Sequence, residues 1–190
     1  MAVLLTGANV PKVINYIDYI QTTGTQWIDT GFTPNNNSRI VLDFAASDVS
    51  KTNNIVGTRN TTSSKAFAFS VINSYWRMGY NTSSPQTSVA ADTDRHTADL
   101  NKNVLSLDGT AIYTATAATF AGYSSIYIGA IHASGSYYGY VKVYSCQIYD
   151  NGTLVRDLWP CLDEAGVACM YDKVSKTYYY NAGTGEFTAG

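Results

Sequence analysis

The sequence predicts an all-β domain made of two antiparallel sheets packed face to face. Three observations predict it. Sixteen Tyr stand against six Phe, and the only glutamates are Glu164 and Glu186; strands favour Tyr, Val, Ile and Thr, whereas long helices draw on Glu, Lys, Ala and Leu. Apolar and polar residues alternate with a period of two in one segment after another, the pattern of a strand with one buried face. Gly, Asn, Asp, Ser and Thr interrupt these segments at short intervals, as tight connections between strands do.

Residues 1–12 have no clear periodicity and read as a leader or linker, which leaves residues 13–190 as one domain. Residues 15–21 (NYIDYIQ) are the first candidate strand, with 26–30 close behind. Residues 39–44 (RIVLDF) put Ile40, Leu42 and Phe44 on one face, and 54–59 (NIVGTR) follow. In residues 65–72, Phe67, Phe69 and Val71 alternate with Ala66, Ala68 and Ser70. Residues 75–80 set Trp76, Met78 and Tyr80 opposite Tyr75, Arg77 and Gly79. The Ser/Thr/Asn-rich stretches 60–64 and 81–88 read as exposed loops.

A meander follows: 95–101, a Lys102-Asn103 turn, 104–107, an Asp108-Gly109 turn, and 111–114. Residues 125–132 and 138–149 are further strands, and in the second the inward set switches from Val141 and Val143 to Cys146 and Ile148. A bulge accounts for such a switch. Asp150-Asn151-Gly152-Thr153 is the strongest turn signal, leading into 154–159; residues 167–171, 177–180 and 186–188 complete the set. The short, regular spacing is best satisfied by a jelly-roll sandwich.

Composition narrows the function. Charged residues are 14% and the formal net charge is -2, so no broad basic surface is available for nucleic acid. No run is long and apolar enough to cross a membrane as a helix. Cys146, Cys161 and Cys169 make no disulfide framework. Cys161 and Cys169 flank the turn-like stretch 163–166 and could face each other across a hairpin, either bonded or as buried free thiols.

Catalytic patterns are missing. Glycoside hydrolysis needs two carboxylates across the scissile bond, but Glu164 and Glu186 both fall in predicted turns, and Asp92 and Asp94 read as loop residues. His96 and His132 lack zinc-ligand spacing, and no G-x-S-x-G elbow occurs. The expectation is a protein that is not an enzyme, with both histidines structural.

Aromatics with polar neighbours are the positive signal. Tyr and Trp rings can stack on sugar rings while Arg, Asn and Gln bond the hydroxyls. The candidate ligand-binding residues are Arg59, Tyr75, Arg77, Tyr127, Tyr137 and Tyr138, with Gly57, Ala68, Gly79 and Gly129 leaving a shallow trough between them. The competing reading packs these tyrosines along sheet faces with their hydroxyls in water. Asn36, Asn60, Asn81 and Asn151 open N-x-Ser/Thr sequences that read as turns and loops.

Several blocks carry a resemblance: YIQTTGTQWIDTGF (19–32), RIVLDF, NIVGTR, HTADLNKNVLSLDGT, SIYIGA, YGYVKVYSCQIYDNGTLVRDLWPC and YDKVSKTYYYNAGTGEFTAG. Together they resemble laminin-G-like, concanavalin-A-like jelly-roll domains of gut bacterial surface and phage tail-associated proteins. The resemblance implies a sandwich with a concave face and a recognition role, carbohydrate binding or adhesion, at an extracellular, cell-surface or virion location. It supplies no functional residues. The alternative is a structural or oligomerising fibre or virion module, with exposed aromatics as a subunit interface. Jelly-roll lectins often hold calcium at loop edges; here Asp29, Asp92 and Asp94 are the available acids, without a spaced Asp/Asn loop, so no cofactor is expected. The expected partner is a glycan or other cell-surface ligand, with a homo-oligomer as a further option.

Overall fold

The structure, a computed structural model, describes residues 14–60, 64–132 and 137–190. The expected leader, residues 1–12, lies outside the described residues. In chain order the strands begin with β1 Asn15–Tyr16, β2 Ile20–Gln21, β3 Ile28–Asp29, β4 Ser38–Ala46, β5 Asn53–Thr58, β6 Ala66–Ile72 and β7 Tyr75–Asn81. Next come β8 Gln86–Ala90, β9 Arg95–Asn101, β10 Val104–Leu107, β11 Thr110–Thr114, β12 Tyr127–Ile128, β13 Ala130–His132 and β14 Tyr137–Tyr138. The last are β15 Val141–Asp150, β16 Thr153–Leu162, β17 Ala168–Asp172, β18 Thr177–Tyr179 and β19 Thr188–Ala189. No helix long and apolar enough to cross a membrane occurs among the described residues.

Two antiparallel sheets form the predicted sandwich. The larger runs β11-β10-β9-β4-β15-β16-β17-β18, with β1 added to β16 and β2 joining β15 to β19. The smaller runs β3-β12-β5-β6-β7-β8, and β13 pairs with β14 alone. The alternation read from sequence sets the core. Ile40, Leu42, Phe44, Leu100, Cys146, Ile148 and Leu158 of the large sheet meet Val56, Phe67, Phe69, Val71, Trp76 and Met78 of the small one, all buried. Each such side chain contributes about 1.5–3 kcal/mol by leaving water. Two hairpins close on the dipeptides the sequence marks. Asp108 and Gly109 (φ 50° and 79°) and Asn151 and Gly152 (φ 48° and 83°) all hold left-handed backbone, as a two-residue primed turn requires.

Some boundaries differ from the expected ones. Residues 15–21 split into β1 and β2, which pair with different strands. Residues 125–132 split at Gly129, whose N–H is drawn to Ile55 O at 2.8 Å and where a Cβ would lie 2.6 Å from Thr22. The expected loop 81–88 gives way to β8, an edge strand that buries only Thr87 and so needs little apolar sequence. The switch expected along β15 is a register shift between Val143 and Ser145, and it turns the extra residue, Tyr144, to the outer face.

His96 has the structural role expected of it. Its ring lies against Phe44 and Trp76 at 6.2 and 5.9 Å, and its nitrogens reach Asp108 at 2.6 Å and Asp92 at 2.8 Å. Burial pulls the imidazole pKa down, but the two carboxylates outweigh it and hold the pKa above its usual value of 6.5. This contribution to stability is therefore fully present below that unfolded-state value and is lost as pH rises through the raised folded value. Asp108, bonded by Thr97 N and His96, is held below the usual carboxylate range, so its share is lost only in acid. The thermal midpoint is expected to fall between about pH 6 and 8 in the wild type, and His96→Gln to flatten that slope. An unchanged slope in the variant would remove His96 as its source.

Candidate functional site

The six candidate residues lie on or beside the outer face of the small sheet. There, Tyr127, Gly57, Ala68 and Gly79 form one cross-strand row through β12, β5, β6 and β7. This is the expected trough floor except for Gly129, which packs on Thr22 instead. The floor is not open to solvent, because Gly57, Ala68 and Gly79 are all buried. The Arg59 guanidinium lies 4.4 Å from the Tyr137 ring centre, and Arg77 Nε donates to Ser84 O at 2.9 Å. Burial, then the Arg59 charge, lowers the Arg77 pKa. Arg59, Arg77 and Tyr137 thus share one neighbourhood. Tyr127 is buried edge-on against Trp27 at 4.8 Å, with Tyr138 packed on the same cluster. Tyr75 stands apart at the hairpin end of β7, opposite Ile72 and Ala90.

The three acids available for calcium do not converge. Asp29 lies on β3 of the small sheet, where it accepts from Gly31 N and Ser125 Oγ. Asp92 is engaged by His96, and Asp94 is exposed in the same turn. No group of three or more His, Cys, Asp or Glu side chains suited to a metal ion occurs among the described residues. Glu164 and Glu186 are exposed.

The outer face of the large sheet brings together residues the sequence reading missed. A groove of about 460 Å³ is lined by Tyr16, Asp18, Asp43, Arg95, Tyr144, Trp159 and Lys173, with Ile17 at its edge. Each wall has a structural cause. On one side, Trp159 projects outward because Leu158 points into the core, and its Nε1 donates to Asp157 Oδ1 at 2.8 Å, which fixes the ring. Lys173 sits in the β17–β18 turn. The buried carboxylate of Asp172 organises that turn by accepting from Val174 N, Ser175 N and Ser175 Oγ, and Lys173 N bonds Asp157 O at 2.9 Å. The Lys173 ammonium consequently lies 3.8 Å from the Trp159 ring and 5.3 Å from that of Tyr16.

On the opposite wall, the β15 bulge delivers Tyr144. Arg95 covers its ring at 3.8 Å, and Tyr19 meets it edge-on at 5.6 Å. Arg95 is held by a two-pronged bond to Asp43, at 2.8 and 2.6 Å, which raises its pKa. The groove therefore offers aromatic surface, two carboxylates, one lysine and one neutralised arginine within a single opening. One signal for it was present in the sequence: a Trp, Trp159, at an outward position of a strand.

No family model matches the chain and no curated protein matches it, so the laminin-G-like resemblance rests on its sequence blocks alone. Among solved structures, the chain is similar to the Trypanosoma rangeli sialidase in complex with 2,3-difluorosialic acid (covalent intermediate). The TM-score is 0.47 and the identity 14%, over 78% of this chain and 32% of the sialidase chain.

Proposed function

We propose that this domain is a non-catalytic recognition module that binds glycan in the groove on the outer face of its large sheet. One observation carries the reading: Trp159, Tyr16 and Tyr144 share a single groove with Asp18, Asp43 and Lys173. A sugar presents C–H faces to aromatic rings and hydroxyls to carboxylates and amines. The non-catalytic part is supported by the exposed positions of Glu164 and Glu186 outside the strands and by the engagement of His96 with two structural carboxylates. An extracellular setting, on a cell surface or a virion, is supported by the resemblance of the sequence blocks.

A glycan array followed by titration tests the reading. Trp27 and Trp76 are buried, so a ligand-induced change in tryptophan fluorescence reports on Trp159. Trp159→Ala is expected to weaken binding at least about tenfold, near 1.4 kcal/mol. Tyr75→Ala and Arg77→Ala, on the other sheet, are expected to leave it unchanged. Loss on either of those and not on Trp159→Ala would move the site to the small sheet, and an array without hits would defeat the glycan reading.

A second reading has one observation behind it. Tyr16, Val167, Val174 and Tyr180, each 45–46% exposed, are four of the six large apolar side chains left in solvent among the described residues. A subunit interface would cover them. Sedimentation decides: a stable oligomer dispersed by Tyr180→Lys favours this reading, and a monomer removes it.

A further inference from the structure

Cys161 and Cys169 are direct cross-strand partners in β16 and β17. Their side chains belong to the outer face, because the flanking Leu158 and Met170 point into the core while Trp159 and Tyr171 point out. Tyr16 stands opposite Cys161 in β1, and continuing the β17–β18 register by one residue places Tyr180 beside Cys169. One row thus reads Tyr16, Cys161, Cys169, Tyr180. Both thiols are fully buried, and the tyrosines that flank them in the row are 46% exposed. The two Sγ atoms are 3.6 Å apart with no disulfide between them. Directly opposed residues of an antiparallel pair have Cα atoms about 4.5–5.5 Å apart, inside the range a disulfide spans.

We propose that Cys161 and Cys169 are an oxidative modification site, a thiol pair that a low-molecular-weight disulfide converts into a cross-strand disulfide without rearranging the sheet. One thiolate attacks the small disulfide, forming a mixed disulfide and releasing one small thiol. The second thiolate then attacks the protein sulfur of that mixed disulfide and releases the other small thiol. Two protein thiols are oxidised, one small disulfide is reduced, and the two protein protons end on the two small thiols. The thiol–thiol hydrogen bond and burial raise the Cys169 pKa, which keeps thiolate scarce and the reaction slow in the closed protein. Local displacement of the flanking tyrosines sets the rate. Cys146 takes no part, since it faces the core between the sheets. The bond would tie the strand carrying Trp159 to its neighbour, but the inference does not depend on what the groove binds.

The test is a thiol count by alkylation in denaturant, read by mass, with peptide mapping. Protein refolded in reductant is expected to carry three free thiols. Protein refolded in oxidised glutathione is expected to carry one, mapped to Cys146, with an unchanged β-sheet spectrum. Cys146→Ala should go from two thiols to none. For folded, reduced protein, Tyr16→Ala is expected to speed oxidation severalfold. Three thiols remaining after oxidative refolding, a bond involving Cys146, or loss of the β-sheet spectrum on oxidation would each overturn the proposal. An equal oxidation rate in Tyr16→Ala would overturn the role of the flanking tyrosine.

Discussion

Phe44→Ala is expected to cost about 3–5 kcal/mol of stability, from lost burial and the cavity left behind. Phe44 is fully buried near the middle of the large sheet, between the inner faces of β9 and β15. Its ring meets Phe69 at 5.3 Å and Trp76 at 5.7 Å, both edge-on, and these are the largest side chains the small sheet contributes there. The substitution removes the joint between the sheets, and the paired backbones of β4 cannot shift to fill the space. Domains of this kind hold about 5–15 kcal/mol in total, so the variant should survive only marginally. Denaturant titration checks this: the midpoint should fall with the slope unchanged. A loss below about 1 kcal/mol would mean that the interface collapses around the gap.

Gly57→Ala is expected to be as damaging, although it adds a single methyl. Gly57 holds φ +130°, and a Cβ there would lie 2.3 Å from Phe67 O and 2.4 Å from Ala68 Cα. Those are backbone atoms of the paired strand, so relief requires pulling β5 from β6. Strain from the backbone conformation and from overpacking together come to about 2–5 kcal/mol. Gly109→Ala is the control: its φ is +79° but no atom lies within 4 Å, so only the conformational cost of about 1–2 kcal/mol applies. Equal midpoints for the two variants would show that the close approach of the strands at Gly57 relaxes freely.

Much of the fold was legible because burial imposes period two on strands with one wet face. Residues 39–44 and 67–71 show it, and both supply the core. The bulge in β15 was legible too, since an extra residue must break the alternation at a definite place. β8 was not, because an edge strand that buries one threonine has the composition of a loop. The site was harder to read. Of the six candidate residues the fold brings Arg59, Arg77 and Tyr137 together, yet the trough between them is closed. Alternation tells which residues leave the core, not what then covers them. Tyr16 and Trp159 are far apart in the chain and meet only because β1 pairs with the end of β16, a pairing no local pattern encodes.

The order of strands in the large sheet bears on how the chain is made. β4 emerges early in synthesis, but the partner on one side of it, β15, begins at residue 141, and β1 and β2 must wait for β16 and β15. The β5–β6–β7 hairpins, by contrast, close between near neighbours. A ribosome therefore leaves the large sheet incomplete until about the last quarter of the chain, which begins at β15, is translated. Long-range pairing of this sort folds in about milliseconds to seconds and leaves strand edges open meanwhile. Nascent chains halted before residue 141 should be protease-sensitive, whereas chains released after β18 should not.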